Sequence, residues 1–357
     1  MIGVANKRIS TRKRTNFAWA GPAVLAALMT GCGTTQAQES AERFYAGKTI
    51  RVLVGYPAGS TFDNYARVAV RHMARHVPGS PAMIVQNMPG AGGLTATANA
   101  ANVAAPDGLT LALINPVNAM EPILNPKVAK FDARKFKWIG SMNTEVGTCA
   151  FWSGKVKSFK DLESTKTRVG ATGPSSGSTL DAKAVQGILG FDFQMVLGYP
   201  GLTDVRLAAE KGEVDGFCGL QVSSIKATLW EPYKAGRFNV VLQTGLKKHP
   251  DLPASIPSVF ELAPDDDARQ VLKLIFSPWA YGAPIMAPPG TPEDLVGVLR
   301  RAFVGMINDK DFIAETQKMN LEIQPMPPEQ IASLVEEAYS TPQAIVSRTR
   351  ALLGIAQ

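Results

Sequence analysis

The sequence predicts an α/β protein made of two similar halves, and three observations predict it. Short β-branched runs alternate with helical stripes, a pattern that packs as a parallel sheet covered on both faces. The order of elements starts again after about residue 147. Each half opens with a strand, then a loop rich in Gly, Ser and Thr, then a helix. With 357 residues, 45% hydrophobic and 19% charged, the chain can build two cores, and long disorder is excluded.

In the first half Thr49 to Val54 reads as a strand, because a short β-branched run suits a pleated, buried surface. The turn-rich loop Gly55 to Thr61 follows. Phe62, Ala66, Ala69 and Met73 then recur at helical spacing. Met83 to Val85 is a second strand, Pro89 to Gly93 a turn with close packing, and 94–104 an Ala-rich helix. Pro106-Asp107-Gly108 turns the chain into a third strand, Leu109 to Ile114.

In the second half Arg168 to Thr172 is a strand, Gly173 to Ser178 a loop, and Leu180 to Leu189 a helix. Phe193 to Leu197, Val214 to Leu220 and Phe238 to Gln243 are strands, with a helix over Thr203 to Lys211. The C-terminal part is helical. Thr291 is expected to cap a helix with Pro292 in its first turn and Asp294 closing the box. Leu295, Leu299, Ala302 and Met306 form its buried stripe, and Thr341 to Leu353 is a final helix.

Residues 1–37 are unlike the rest. They hold Lys7, Arg8, Arg12, Lys13 and Arg14 and no acid, followed by an apolar stretch from Phe17 to Met29. This is the make-up of an export signal and too short for a membrane span. Two ends remain open: cleavage after Thr35-Gln36-Ala37, or a lipoprotein box Met29-Thr30-Gly31-Cys32 that would anchor Cys32. Without those five cations the chain keeps 32 Lys and Arg against 30 Asp and Glu, so no nucleic-acid surface is expected. Export leaves Cys149 and Cys218, either two buried thiols or a disulfide permitted by an oxidising compartment. No C-x-x-C pair points to zinc, and no cofactor is called for.

The chemistry-bearing candidates are the two loops, 55–61 and 173–178. Each would leave backbone N–H groups free at a helix N-terminus, where the dipole favours an anion. Neither contains Lys or Arg, which fits a carboxylate better than a phosphate. Gly173-Pro174-Ser175-Ser176-Gly177 also matches the G-x-S-x-G elbow of α/β-hydrolases, which makes a secreted esterase using Ser175 the alternative. Its base would have to be His249, in a surface-like Lys-Lys-His-Pro stretch, and no His-Gly-Gly-Gly segment supplies an oxyanion hole. His72 and His76 have zinc-ligand spacing, but Met73 stands where zinc proteases place Glu, so a satisfied or exposed pair is expected.

Taken in order, these segments resemble the tripartite tricarboxylate transporter (Bug-type) extracytoplasmic solute receptors. The likeness runs over roughly residues 44 to 350. It rests on KTIRVLVGYPAGSTFDNYAR (48–67), VQNMPGAGGLTATANAAN (85–102), APDGLTLAL (105–113), RVGATGPSSGSTLDA (168–182), LGYPGLTDVRLAAEKGEVDGF (197–217), PDLPASIPSVFEL (250–262) and APPGTPEDLVGVLRRAF (287–303). The resemblance implies a type II periplasmic-binding-protein fold: two doubly wound lobes, 44–147 with 278–357 and 148–277, joined by hinge strands around a ligand cleft. It implies a periplasmic, monomeric binding protein that captures a small carboxylate for a membrane transporter or sensor. Ligand contacts carry over onto Tyr56, Ala58, Gly59, Ser60, Thr61 and Asp63, and onto Ser175, Ser176, Gly177 and Ser178, with Tyr199 and Gly201 beside the cleft. Asp63 is suited to capping its helix or pairing with Arg67 at i+4. The resemblance also implies that Cys149 and Cys218 lie on neighbouring strands. One departure stands out: where the family commonly has Pro-Ala-Gly-Gly-Gly-Thr-Asp, Ser60, Thr61 and Phe62 replace the last two glycines and the threonine.

Overall fold

The computed structural model describes residues 40–152, 154–173 and 176–355. The leader with Cys32, and Pro174 and Ser175 of the elbow motif, lie outside these described residues. β1 (Thr49–Val54) has its inner residues Ile50, Val52, Leu53 and Val54 buried. It pairs in parallel with β2 (Ala82–Asn87) on one side and β3 (Thr110–Leu113) on the other, with Thr49 opposite Ala82 and Arg51 opposite Thr110. The parallel register requires crossovers, supplied by α1 (Thr61–Met73) and α2 (Leu94–Asn102). β4 (Lys137–Ser141) closes this sheet, but it does not touch β3.

The second sheet contains β5 (Gly147–Phe151), β6 (Thr167–Gly170), β7 (Phe193–Val196), β8 (Gly216–Gln221) and β9 (Asn239–Gln243), in the order β7-β6-β8-β5-β9. α3 (Gly177–Leu189) and α4 (Leu202–Glu210) link its parallel strands. After α5 (Asp266–Phe276) the chain returns as β10 (Pro284–Ala287), which inserts antiparallel between β3 and β4. The first sheet is therefore β2-β1-β3-β10-β4. In each sheet the fourth strand is the antiparallel one, and β5 and β10 are the strands that receive the chain as it crosses between sheets.

The C-terminal residues form α6 (Glu293–Ile307), α7 (Lys310–Lys318), α8 (Pro328–Tyr339) and α9 (Gln343–Leu353). One apolar core joins Val52, Leu111, Val68, Leu299 and Phe303 over the first sheet. A larger one takes in Leu53, Trp138, Phe151, Val185 and Phe276, and so runs beneath both sheets. Among the described residues no helix is long and apolar enough to cross a membrane.

Three local expectations need correction. Thr291 does not cap α6: Pro292 takes the N-cap position, and the Thr291 hydroxyl donates to the Pro288 carbonyl at 2.8 Å. The stripe of α6 is broader than expected, with Val296, Val298 and Phe303 buried and Leu295 half-buried. His249 is no surface residue, being 4% exposed. The Gly55–Gly93 contact explains the glycine run near residue 90: a Cβ on Gly55 would fall 2.4 Å from the Gly93 Cα.

Cys149 on β5 lies opposite Cys218 on β8, and the two are joined by a disulfide with a Cα–Cα distance of 4.0 Å.

Candidate functional site

Both Gly/Ser loops sit at the carboxyl ends of central parallel strands, β1 and β6, where open α/β sheets place ligands. They are built alike. Ser60 caps α1 and Ser176 caps α3, with φ/ψ of −69°/162° and −76°/156°. Each serine amide donates to the carbonyl three residues back, Pro57 and Gly173. Each serine hydroxyl accepts from the amide three residues on, Asp63 at 3.2 Å and Thr179 at 3.4 Å. Each serine carbonyl takes the next amide, that of Asn64 or Leu180. The remaining first-turn donors are the amides of Thr61 and Phe62 in one loop and of Gly177 and Ser178 in the other, which have no acceptor within their helices.

The first loop is stiffened by Asp63. Its carboxylate is fully buried and accepts from the Gly59 amide at 2.8 Å, Arg67 Nε at 2.7 Å and Asn87 Nδ2 at 2.8 Å. Asn87 Nδ2 also donates to the Tyr56 carbonyl at 2.9 Å. Burial pushes the Asp63 carboxyl up, but the bonds from Arg67, Asn87 and Gly59 outweigh it and hold it below the ordinary carboxylate range. Gly59 has φ +83°, a left-handed turn that a side chain would strain. Ala58, Gly59 and Thr61 are exposed and Ser60 is partly so. Tyr56 stacks on Phe62 at 4.8 Å, donates to the Gly92 carbonyl and accepts from Asn115. Phe62 thus forms one wall of the loop.

The second loop is held by hydroxyls instead. Thr179 Oγ1 donates to the Gly173 carbonyl at 2.7 Å, and Ser176 and Ser178 share a hydroxyl contact at 3.1 Å. Gly201 is the N-cap of α4, and Tyr199 packs on Gly170.

Several polar groups went unmarked in the sequence. Asp181 on α3 is 2% exposed, and its Oδ2 has no partner among the described residues; burial pushes its carboxyl up to about 8. Among the described residues Gln221 Oε1 and Thr244 Oγ1 are likewise buried without partners, and so is the indole N–H of Trp279, whose ring edge would lie 3.6 Å from a Gly177 Cβ. Glu145, in the crossing from β4 to β5, accepts from Asn143 at 2.6 Å and Ser223 at 2.5 Å. Burial pushes it up to about 7 against those bonds.

His249 Nε2 faces Glu322 Oε1 at 3.2 Å, and Nδ1 accepts from the Asp251 amide at 3.2 Å. With both ring nitrogens engaged, nothing supports it as the base of an esterase. His249, Asp251 and Glu322 bring ligand-type atoms within 4.8 Å of one another, but Lys226 Nζ, 2.5 Å from Asp251 and 3.4 Å from Glu322, already supplies the positive charge there. His72 and His76 face Glu315 at 2.6 Å and Asp309 at 2.8 Å. Two surface cavities, of 340 and 580 Å³, lie on Leu274, Ser277 and Leu334 and on Pro122, Pro126 and Phe131, away from both loops.

The model of the tripartite tricarboxylate transporter family receptor matches residues 65–350. The chain belongs to that family. Solved structures share its fold. A TctC solute-binding protein from Polaromonas is 19% identical, with a TM-score of 0.65 over 87% of this chain and 100% of its own. MatC from Rhodopseudomonas palustris with bound malate is 24% identical, with a TM-score of 0.62 over 86% of this chain and 99% of its own. An R. palustris protein with adipate is 19% identical, with a TM-score of 0.63 over 87% and 98%. No curated protein matches by sequence.

Proposed function

We propose that this receptor is an exported binding protein that captures a small carboxylate between two lobes, residues 44–147 with 278–357 and residues 148–277, and hands it to a membrane transporter. The observation that carries this reading is the duplicate construction around Ser60 and Ser176. A carboxylate offers about four acceptor positions, and two helix starts with two unclaimed amides each can serve them from opposite sides. Tyr56, Ala58, Gly59, Ser60 and Thr61 line one jaw; Ser176, Gly177 and Ser178 line the other, with Tyr199 and Gly201 at its edge, and Ser175, outside the described residues, is assigned to the second jaw from the sequence alone. Asp63 acts from inside the first jaw, fixing its shape. Malate and adipate bound to relatives of the same fold support the ligand class. Closure is the working step: contacts completed only when the jaws meet stabilise the closed form. The site of action is the periplasm, and the role is binding, not turnover.

A thermal-shift screen of mono- and dicarboxylates tests this. A true ligand should stabilise the protein by about 2.7 kcal/mol at a hundredfold excess over Kd. Ser60→Leu and Ser176→Leu should each remove that response. Both serines are caps, so each variant also loses about 1 kcal/mol before ligand is added; the response to ligand is the readout. Stabilisation by uncharged sugars, with none from any carboxylate, would overturn the reading.

A further inference from the structure

One patch of the surface, away from both Gly/Ser loops, gathers features that ligand capture leaves unused. Val103, just past the end of α2, and Val128, between β3 and β4, are 72% and 59% exposed, the most exposed large apolar side chains among the described residues. Both adjoin the larger surface cavity, of 580 Å³. Their chain neighbours Asn102 and Ala129 line it, together with Pro122, Pro126, Phe131 and Pro289. Lys130 and Lys135 stand at the same cavity, and both are exposed.

The charge of this patch comes from one stretch of sequence. Residues 121–137 hold Lys127, Lys130, Arg134, Lys135 and Lys137 against Glu121 and Asp132, three net positive charges. The chain without its five leader cations keeps only two, with 32 Lys and Arg against 30 Asp and Glu, so everything outside this stretch is slightly acidic. Arg134 is tied to Asp132 at 2.9 Å and Lys137 to Glu293 at 2.5 Å. Lys130 and Lys135 make no ion pair among the described residues. Exposed apolar side chains rimmed by one sign of charge mark a protein-binding surface: apolar contact supplies affinity and complementary charge guides the approach. A second copy in a two-fold contact would set these lysines against themselves. A bilayer would meet the lysines but leave the concave site unfilled.

We propose that this patch docks an acidic polypeptide segment of a partner protein, which inserts one large apolar side chain into the cavity flanked by Val103 and Val128 and sets its carboxylates on Lys130 and Lys135. A partner held there leaves both Gly/Ser loops free, and the inference does not depend on which ligand the loops take.

The test is fluorescence anisotropy with labelled peptides: a Glu/Asp-rich heptapeptide with a central Trp, the same peptide with Gly for Trp, and a Lys-rich peptide with the Trp. Phosphatidylglycerol vesicles are the fourth probe. The acidic Trp peptide should bind at least tenfold tighter than either control, and its binding should weaken from about 0.05 to about 0.5 M salt. Lys130→Glu/Lys135→Glu should turn the preference toward the Lys-rich peptide, and Val103→Asn/Val128→Asn should level the Trp and Gly peptides. All four positions are exposed, so the melting temperatures of both variants should match wild type, as should their stabilisation by carboxylates. Equal binding of acidic and Lys-rich peptides, a preference that survives the charge reversal, or no binding of any peptide would overturn the docking surface. Lysine-dependent binding of the vesicles alone would make the occupant a membrane and overturn it as well.

Discussion

Asp63 and Thr179 occupy the same place in the two Gly/Ser loops, each three residues after a helix-capping serine, and each reaches back to the backbone of its own loop. Asp63 accepts from the Gly59 amide at 2.8 Å; Thr179 donates to the Gly173 carbonyl at 2.7 Å. One solution is ionic and the other neutral, so the two loops should fail differently. Asp63→Ala strands three donors and should cost about 2–3 kcal/mol, against about 1 kcal/mol for Thr179→Val. Urea unfolding measures both. If Asp63→Ala lost ligand affinity at unchanged stability, the carboxylate would be a ligand contact and not a brace.

The disulfide between Cys149 and Cys218 closes a 69-residue separation. Cross-links of this span restrict the unfolded chain, and removing this one should lower stability by about 2–4 kcal/mol. Denaturation with and without reductant, set beside a Cys149→Ala/Cys218→Ala variant, checks this. Equal midpoints under all three conditions would rule out a structural role.

Asp181 and Glu145 set the response to pH. Both are pushed up by burial, to about 8 and about 7, so the folded protein holds protons that the unfolded chain releases. Their contribution is full below the unfolded carboxyl range and is lost as pH rises through those values. Asp181→Asn and Glu145→Gln should therefore stabilise the unliganded protein more at pH 8 than at pH 5, by on the order of 1–3 kcal/mol. Melting temperatures across that interval decide the matter; variants equally unstable at both pH values would contradict it.

Glu322 joins segments from the two ends of the molecule. It follows α7, its carbonyl accepts from Tyr65 on α1 at 2.8 Å, and its side chain meets His249 and Lys226 beyond the second sheet. Burial pushes its carboxyl up, yet His249 and Lys226 outweigh this and hold it below the ordinary range. Glu322→Gln should cost about 1–2 kcal/mol, and a double-mutant cycle with Lys226→Met should show coupling of about 1 kcal/mol. Additive single effects would mean that the pair does not act as a unit.

The parallel strands were legible in the sequence because each is a short apolar run ended by a turn. The two loops were legible as Gly/Ser/Thr-rich turns before a helix, but their caps were not: the capping role expected of Asp63 belongs to Ser60, three residues earlier, while the expected Arg67 pairing is present. β4 and β10 were not legible. Lys137–Ser141 and Pro284–Ala287 become strands through pairing with each other across more than a hundred residues, which no local window contains. Asp181 was hidden for a similar reason. In Leu180-Asp181-Ala182-Lys183 it looks like an ordinary solvent-facing position, and its burial follows from α3 packing between β8 on one side and α5 and α9 on the other. His249 sits among lysines and a proline, and it is covered by a residue 73 positions later.

The placement of β10 also bears on how the chain matures as it is made. All five strands of the second sheet lie between Gly147 and Gln243, so that sheet can finish once this stretch has emerged. The first sheet cannot: β3 and β4 come early, yet they touch only through β10, which is synthesised some 140 residues after β4 ends. Until Pro284–Ala287 arrives, the amino-terminal half carries a gap in the middle of its sheet. A nascent chain of this design stays unfinished at its front while its back is still being translated.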